Sequence, residues 1–192
     1  MIVTAILGLV IVRYMGPLWI GPVAASLLLL FLLFRDPGRS VPPLPLAAVA
    51  PIDGRVVAVG QESGKLLPGA WRRISIRTNH FGAYTVRSPI EGAILSIREA
   101  AGPEYSVRTP AGLWVRNEEQ DDVVLLFPSN GWGPAPKAFV RYGERVGQGQ
   151  RFAYLRLAPR AEVYLPVTAQ IRVQKGDRVC AGSTVLADLA EE

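Results

Sequence analysis

The chain reads as a mainly β domain, a flattened barrel or sandwich, behind an N-terminal transmembrane helical segment. Three observations predict this. After residue 50, short runs of β-branched and alternating apolar residues recur, with Gly and Pro between them. Before residue 35 there is one charge, Arg13, and no acid. Between the two lies a proline-rich stretch that no regular element accommodates. The expected organisation is an anchor over 1–34, a linker over 35–50 and a β domain over 51–192.

Pro17 to Phe34 is free of charge and ends in a run of leucines and phenylalanines. Its length is near the minimum of about 20 residues for crossing a bilayer core. Ile2 to Val12 is also apolar but shorter, and Arg13-Tyr14 closes it. A single span and a short hairpin turning at Tyr14–Pro17 both remain open. Ala48-Val49-Ala50 looks like a signal-peptide cleavage site. It lies far beyond Phe34, across a charged turn, and no basic segment precedes the apolar run, so an anchor is the better reading. Arg35 and Arg39 flank the span and place the β domain on the cytoplasmic side of the inner membrane.

In the linker, Arg35 to Ala50, four prolines and a glycine deny regular structure. Strands are expected at Arg55–Val59, Arg73–Arg77, Ala93–Ile97, Val123–Phe127, Phe152–Leu157, Glu162–Leu165, Gln170–Val173 and Val185–Leu189. Ala135–Arg141 is the best helix candidate. Pro51-Ile52-Asp53-Gly54-Arg55-Val56 is echoed by Pro89-Ile90-Glu91-Gly92-Ala93-Ile94, a turn entering a strand, used twice. Val173 to Gly182, with its Lys175-Gly176-Asp177 corner, resembles the hairpin of lipoyl- and biotinyl-type domains. That resemblance implies a lipoyl-like fold, although no carrier lysine stands in the context lipoylation needs.

The segment beyond residue 34 carries 20 basic and 16 acidic residues. This mild excess suits an anionic membrane surface. It argues against a nucleic-acid partner, because the basic residues are scattered along the chain. One cysteine, Cys180, excludes an internal disulfide, and with one histidine it makes structural zinc untenable. Glu118-Glu119-Gln120-Asp121-Asp122 lacks the spacing of a calcium loop and reads as a solvated turn. No metal site is expected. Trp71, Trp114 and Trp132 either pack in the core or meet an amphiphile or the membrane interface.

Five motifs in order resemble the phosphatidylserine decarboxylases in their small membrane-anchored form: Phe34-Arg35-Asp36-Pro37-x-Arg39; Ala50-Pro51-x-Asp53-Gly54-x-Val56; Arg87-Ser88-Pro89-Ile90-x-Gly92; Asn117-Glu118; and Val163-Tyr164-Leu165-Pro166 through Gly176-Asp177-x-Val179-x-Ala181-Gly182. The resemblance implies an aspartate and a histidine that prime a serine, which becomes a pyruvoyl group. That group would decarboxylate a phospholipid substrate. Asp53 matches the aspartate. Tyr84, in Tyr84-Thr85-Val86-Arg87, stands where the histidine belongs, and a tyrosine with a pKa of about 10 is a poor base. Ala158-Pro159, just before Arg160, stands where the family has Gly-Ser, and Pro159 has no hydroxyl to attack with.

The resemblance therefore implies a non-processing pseudoenzyme of phospholipid metabolism. It would bind aminophospholipid, pair with an active relative or self-associate, and carry no cofactor. Two alternatives stay open. Gly182-Ser183-Thr184 resembles the processing site of larger decarboxylases, which would give an active, pyruvoyl-bearing enzyme cut at Ser183. Otherwise the chain is a membrane-tethered lipoyl-like scaffold. Arg87 and His80 are candidate substrate-binding residues. If His80 shared a strand with Tyr84, about 13 Å would separate them. It replaces the lost base only if Gly82 permits a loop, and an exposed loop histidine is the simpler reading.

Overall fold

A computed structural model describes residues 16–63, 69–98, 111–128, 136–156 and 158–189, with isolated positions at 6, 8, 10, 13 and 14. A 3-10 turn at Pro17–Trp19 leads into α1, Ile20–Phe34. Fourteen strands follow among the described residues: β1 Ala47–Val49, β2 Gly54–Ser63, β3 Ala70–Thr78, β4 Thr85–Arg87, β5 Gly92–Arg98, β6 Ala111–Arg116, β7 Asp122–Phe127, β8 Lys137–Ala138, β9 Arg145–Val146, β10 Arg151–Tyr154, β11 Arg160–Pro166, β12 Gln170–Ile171, β13 Arg178–Val179 and β14 Val185–Asp188.

α1 has 15 residues and buries none of them. At 1.5 Å per residue it is about 22 Å long, shorter than a hydrocarbon core of about 30 Å. Among the described residues no helix is long and apolar enough to cross a membrane, so α1 falls short of the span expected from the sequence. The proposed hairpin partner, Ile2–Val12, lies largely outside the described residues. α1 stops where Arg35 turns extended, two residues before Pro37, whose ring disfavours helix in the residue preceding it.

Eight strands form one open sheet in the order β13-β2-β3-β11-β7-β6-β5-β9, and two three-stranded sheets, β1-β14-β12 and β4-β10-β8, accompany it. Every pairing among these strands is antiparallel. The fold is thus mainly β as expected, but no barrel closes among the described residues. One core joins all three sheets, with Ile74, Ile76, Val163 and Leu165 from the large sheet, Ala48 and Leu186 from one small sheet, and Val86 and Phe152 from the other. On the other face of the large sheet, Trp71 and Trp114 meet edge-to-face over Val124, Leu126 and Tyr164, so these two tryptophans pack within the domain. Trp132 lies outside the described residues.

The short internal repeat is the visible part of a longer one. Gly54 opens β2 and Gly92 opens β5, and at each a Cβ would sit 2.1 Å from a carbonyl of the neighbouring strand, Arg77 and Arg116. Gly176-Asp177-Arg178-Val179-x-x-Gly182 repeats Gly143-Glu144-Arg145-Val146-x-x-Gly149. The contacts repeat too. The N–H of Val56 donates to Asp177 O and that of Ile94 to Glu144 O; those of Gly176 and Gly143 donate back to Val56 O and Ile94 O. All four glycines of the second motif have positive φ.

Two further sequence expectations fail. The helix at Ala135–Arg141 is not formed: Ala135 is outside the described residues, and Lys137–Ala138 is instead strand β8, paired with β10. Pro136 offers no N–H to a helix or a ladder, and Phe139 N–H donates across to Phe152 O. The linker is not free of regular structure throughout, because Ala47–Val49 form a buried strand against β14.

Candidate functional site

The site is built around the open end of β2 and β3. Asp53 stands just before β2 and is buried. Its Oδ1 accepts from Ala181 N–H at 2.7 Å, and its Oδ2 accepts from Ala83 N–H at 2.8 Å and Arg39 Nη2 at 2.9 Å. Gly82 is what lets the following turn close on this carboxylate, since a Cβ there would lie 2.4 Å from Asp53 Cβ. The main chain of Asp53 is tied as well, its carbonyl accepting from Asn79 N–H.

Pro159 lies across β3 from Asp53. It stands on an exposed bend just before β11, and its carbonyl accepts from Thr78 N–H at 3.0 Å. Gly54 pairs with Thr78 and Arg160 with Arg77, so positions 53 and 159 flank the same end of β3, about two strand spacings or 10 Å apart. Tyr84 joins them through the backbone. Its carbonyl accepts from Leu155 N–H, and Leu155 O accepts from Ala158 N–H. The three positions therefore converge. What converges is a carboxylate with its acceptors filled, a phenol and an imino acid. No aliphatic hydroxyl and no imidazole stand at these positions.

Tyr84 belongs instead to an aromatic group. Its ring lies 4.7 Å from Phe34 and 5.9 Å from Tyr154, which in turn lies 5.2 Å from Phe139. Phe34, Phe139 and Tyr154 are exposed. The group sits at the foot of α1, fixed there by Tyr84 N–H donating to Arg35 O.

The remaining candidates have structural surroundings. Arg87 is buried, donating to Gly149 O at 3.0 Å, with Pro37 O and Asp36 beside its other nitrogen. Burial pushes its pKa below the ordinary arginine value, with Asp36 opposing. Its guanidinium is taken up by backbone carbonyls and the linker. Ser183 sits in the turn after Cys180, and its hydroxyl donates to Ser40 O at 2.9 Å. His80 is exposed in the Asn79–Gly82 turn, a loop and not a strand extension toward Tyr84. The acidic run is likewise a turn, with Arg116 bonded to Asp122 and Arg145 to Glu118; among the described residues no group of His, Cys, Asp or Glu is arranged to hold a metal.

The linker is the residue set that sequence reasoning misses. Arg39 pairs with Asp53, and Asp36 accepts from Thr85 and pairs with Arg151. Both belong to the Phe-Arg-Asp-Pro-x-Arg motif, whose order in the chain gives no sign of where it docks.

The phosphatidylserine decarboxylase family model matches residues 27–187, most of the chain. The chain belongs to the phosphatidylserine decarboxylase family. It is 34% identical to the phosphatidylserine decarboxylase proenzyme of Nitrosomonas eutropha over 191 residues, covering 95% of this chain and 88% of that one. The proenzyme of Nitrosomonas europaea is also 34% identical, over 93% of this chain and 87% of its own. That of Burkholderia vietnamiensis is 32% identical over 86% and 82%. Among solved structures, glucose permease IIA from Mycoplasma capricolum superposes with a TM-score of 0.51 at 14% identity, covering 74% of this chain and 94% of that one, a likeness of fold alone. The motif resemblance puts Tyr84, Ala158 and Pro159 of this decarboxylase-family chain where the family pattern has His, Gly and Ser.

Proposed function

We propose that this chain is a membrane-attached, non-processing member of the decarboxylase family that binds aminophospholipid or regulates an active relative. One observation carries the reading. Position 159 is a proline whose carbonyl is held by Thr78 and whose side chain has no atom able to attack the preceding peptide. Tyr84, whose ring meets Phe34 edge-on, stands where the family pattern has its histidine. The pyruvoyl cofactor of the family is therefore absent from this reading.

Membrane attachment rests on α1, whose Leu28, Leu29 and Phe31 are exposed and which ends at the aromatic group around Tyr84. Together with apolar residues before it, α1 anchors the domain on the cytoplasmic side. The open sheet and its two small companions make a barrel-sandwich hybrid of the lipoyl-like kind, a reading supported by the duplicated turn-and-strand unit. The lipid meets the aromatic group at the foot of α1.

Intact mass of the purified chain under denaturing conditions tests the proposal. An unbroken chain near 20.8 kDa is expected. Two fragments, the smaller beginning at Ser183 with a pyruvoyl mass defect, would restore an active enzyme, as would release of carbon dioxide from phosphatidylserine vesicles.

A further inference from the structure

The basic residues that look scattered in the sequence are brought together by strand register. Arg178 on β13 pairs with Arg55 on β2, Arg55 pairs with Arg77 on β3, and Arg77 pairs with Arg160 on β11. Directly opposed residues of an antiparallel sheet share a face. Four arginines thus form one row across four adjacent strands, spanning about 14 Å. All four are exposed, while Val179, Val56, Ile76 and Ala161, next to them in sequence, are buried on the opposite face.

None of the four has a carboxylate partner among the described residues. The nearby acids are committed elsewhere. Asp53 holds Arg39 and two backbone N–H groups, Glu162 faces Arg73 and the Tyr164 hydroxyl, and Asp177 accepts from Gln174 N–H. Like charges directly opposite one another destabilise a sheet, so folding does not account for this row.

The internal repeat supplies the comparison. The equivalent row in the second copy is Arg145 on β9, Ala93 on β5, Arg116 on β6 and Asp122 on β7. There the two arginines are neutralised, Arg116 by Asp122 and Arg145 by Glu118. The same framework therefore accepts a balanced row. Only the copy beside the site keeps four unbalanced cations.

The row also leads toward the foot of α1. β3 runs from Arg77 through Thr78 into the Asn79–Gly82 turn, where exposed Phe81 has its carbonyl held by Arg35, the residue that ends α1. We propose that the Arg178–Arg55–Arg77–Arg160 row is a docking face for anionic phospholipid headgroups, setting the orientation of the domain on the bilayer. Charge complementarity and continuity with the foot of α1 favour a lipid surface over a nucleic acid. The proposal rests on the membrane attachment of the reading above, and not on whether the chain processes itself.

Flotation of the full chain with vesicles tests it, using phosphatidylcholine alone and phosphatidylcholine with about 30% phosphatidylglycerol. Each arginine near an anionic leaflet contributes roughly fivefold in partitioning, so the four together give a preference of roughly 600-fold at about 50 mM salt, most of it lost at about 500 mM. The R55Q/R77Q/R160Q/R178Q variant is expected to lose the preference and to keep wild-type binding to phosphatidylcholine. R116Q/R145Q, the equivalent row in the second copy, is expected to keep it. Should the quadruple variant fail to fold, R55Q/R178Q at the sheet edge is expected to lose most of two arginines' share. Retention of the preference in these variants overturns the proposal, as does a DNA duplex that strips wild type from anionic vesicles. Failure of wild type to bind phosphatidylcholine, with anionic binding intact, overturns the α1 attachment and leaves the row standing.

Discussion

A carboxylate that accepts from two backbone N–H groups and a guanidinium, as Asp53 does, is positioned by main chain from two distant segments. Asp53→Asn keeps the shape, removes the charge and turns an amide N–H₂ toward a backbone donor. The expected cost is roughly 2–3 kcal/mol in urea unfolding. An unchanged midpoint would mean that Asp53 is not the bolt it looks to be. The test of the proposed loss of processing is equally local. Pro159→Ser alone is expected to stay uncut, because no histidine stands at position 84. Y84H/A158G/P159S is expected to cleave between positions 158 and 159, seen as two masses on incubation. Cleavage of the single variant would show that another group primes the serine. The motif order in the sequence singles out positions 53, 84 and 159. The Arg39 contact is not legible there, because it joins a proline-rich linker to a turn through docking, which leaves no local pattern.

At the level of elements, the strands that sequence alternation marks are those long enough to show a period, such as β3 and β11. Two-residue strands like β8, β9 and β13 have no period, and they exist only because a neighbouring strand offers hydrogen bonds. β8 also shows why the sequence suggests a helix at 135–141 that does not form: a short run of Ala, Lys and Phe has no intrinsic preference strong enough to resist pairing with β10. The repeated glycines give a sharper test. On β2, Gly54→Ala would drive a Cβ to 2.1 Å from Arg77 O, whereas Gly60→Ala meets nothing within 4 Å. The first is expected to cost roughly 3 kcal/mol and the second to be neutral or stabilising by about 0.5 kcal/mol, read from urea midpoints. Equal effects would refute the close approach that lets β2 enter the sheet. β11 supplies a pH test. Burial, and then the Glu162 charge, push the Tyr164 pKa well above the ordinary value of 10.0. The folded phenol stays protonated while the unfolded one ionises, so its contribution is complete below pH ~10 and falls by about 1.4 kcal/mol per pH unit above it. Tyr164→Phe is expected to flatten that part of the stability profile, and an unchanged slope would remove the tyrosine as its cause.

For the whole molecule, the proposed membrane attachment and the folded core fall on different parts. The core draws on all three sheets, yet α1 buries none of its side chains. A helix that exposes Leu28, Leu29 and Phe31 gains nothing from the domain by doing so, and such apolar surface is normally covered by a membrane or a partner. L28E/L29E/F31E is therefore expected to leave the urea midpoint of the β domain within about 0.5 kcal/mol of wild type. The same variant is expected to abolish flotation with phosphatidylcholine vesicles, while the arginine row still draws the chain to anionic ones at low salt. A drop in stability would mean that α1 packs on the domain, and unchanged flotation would move the attachment elsewhere. On the proposed reading, the separation also bears on how a non-processing relative persists. The aspartate frame, the linker strap and the duplicated sheet depend on neither a hydroxyl at position 159 nor an imidazole at position 84, so a chain without either keeps the fold and the foot of α1 intact.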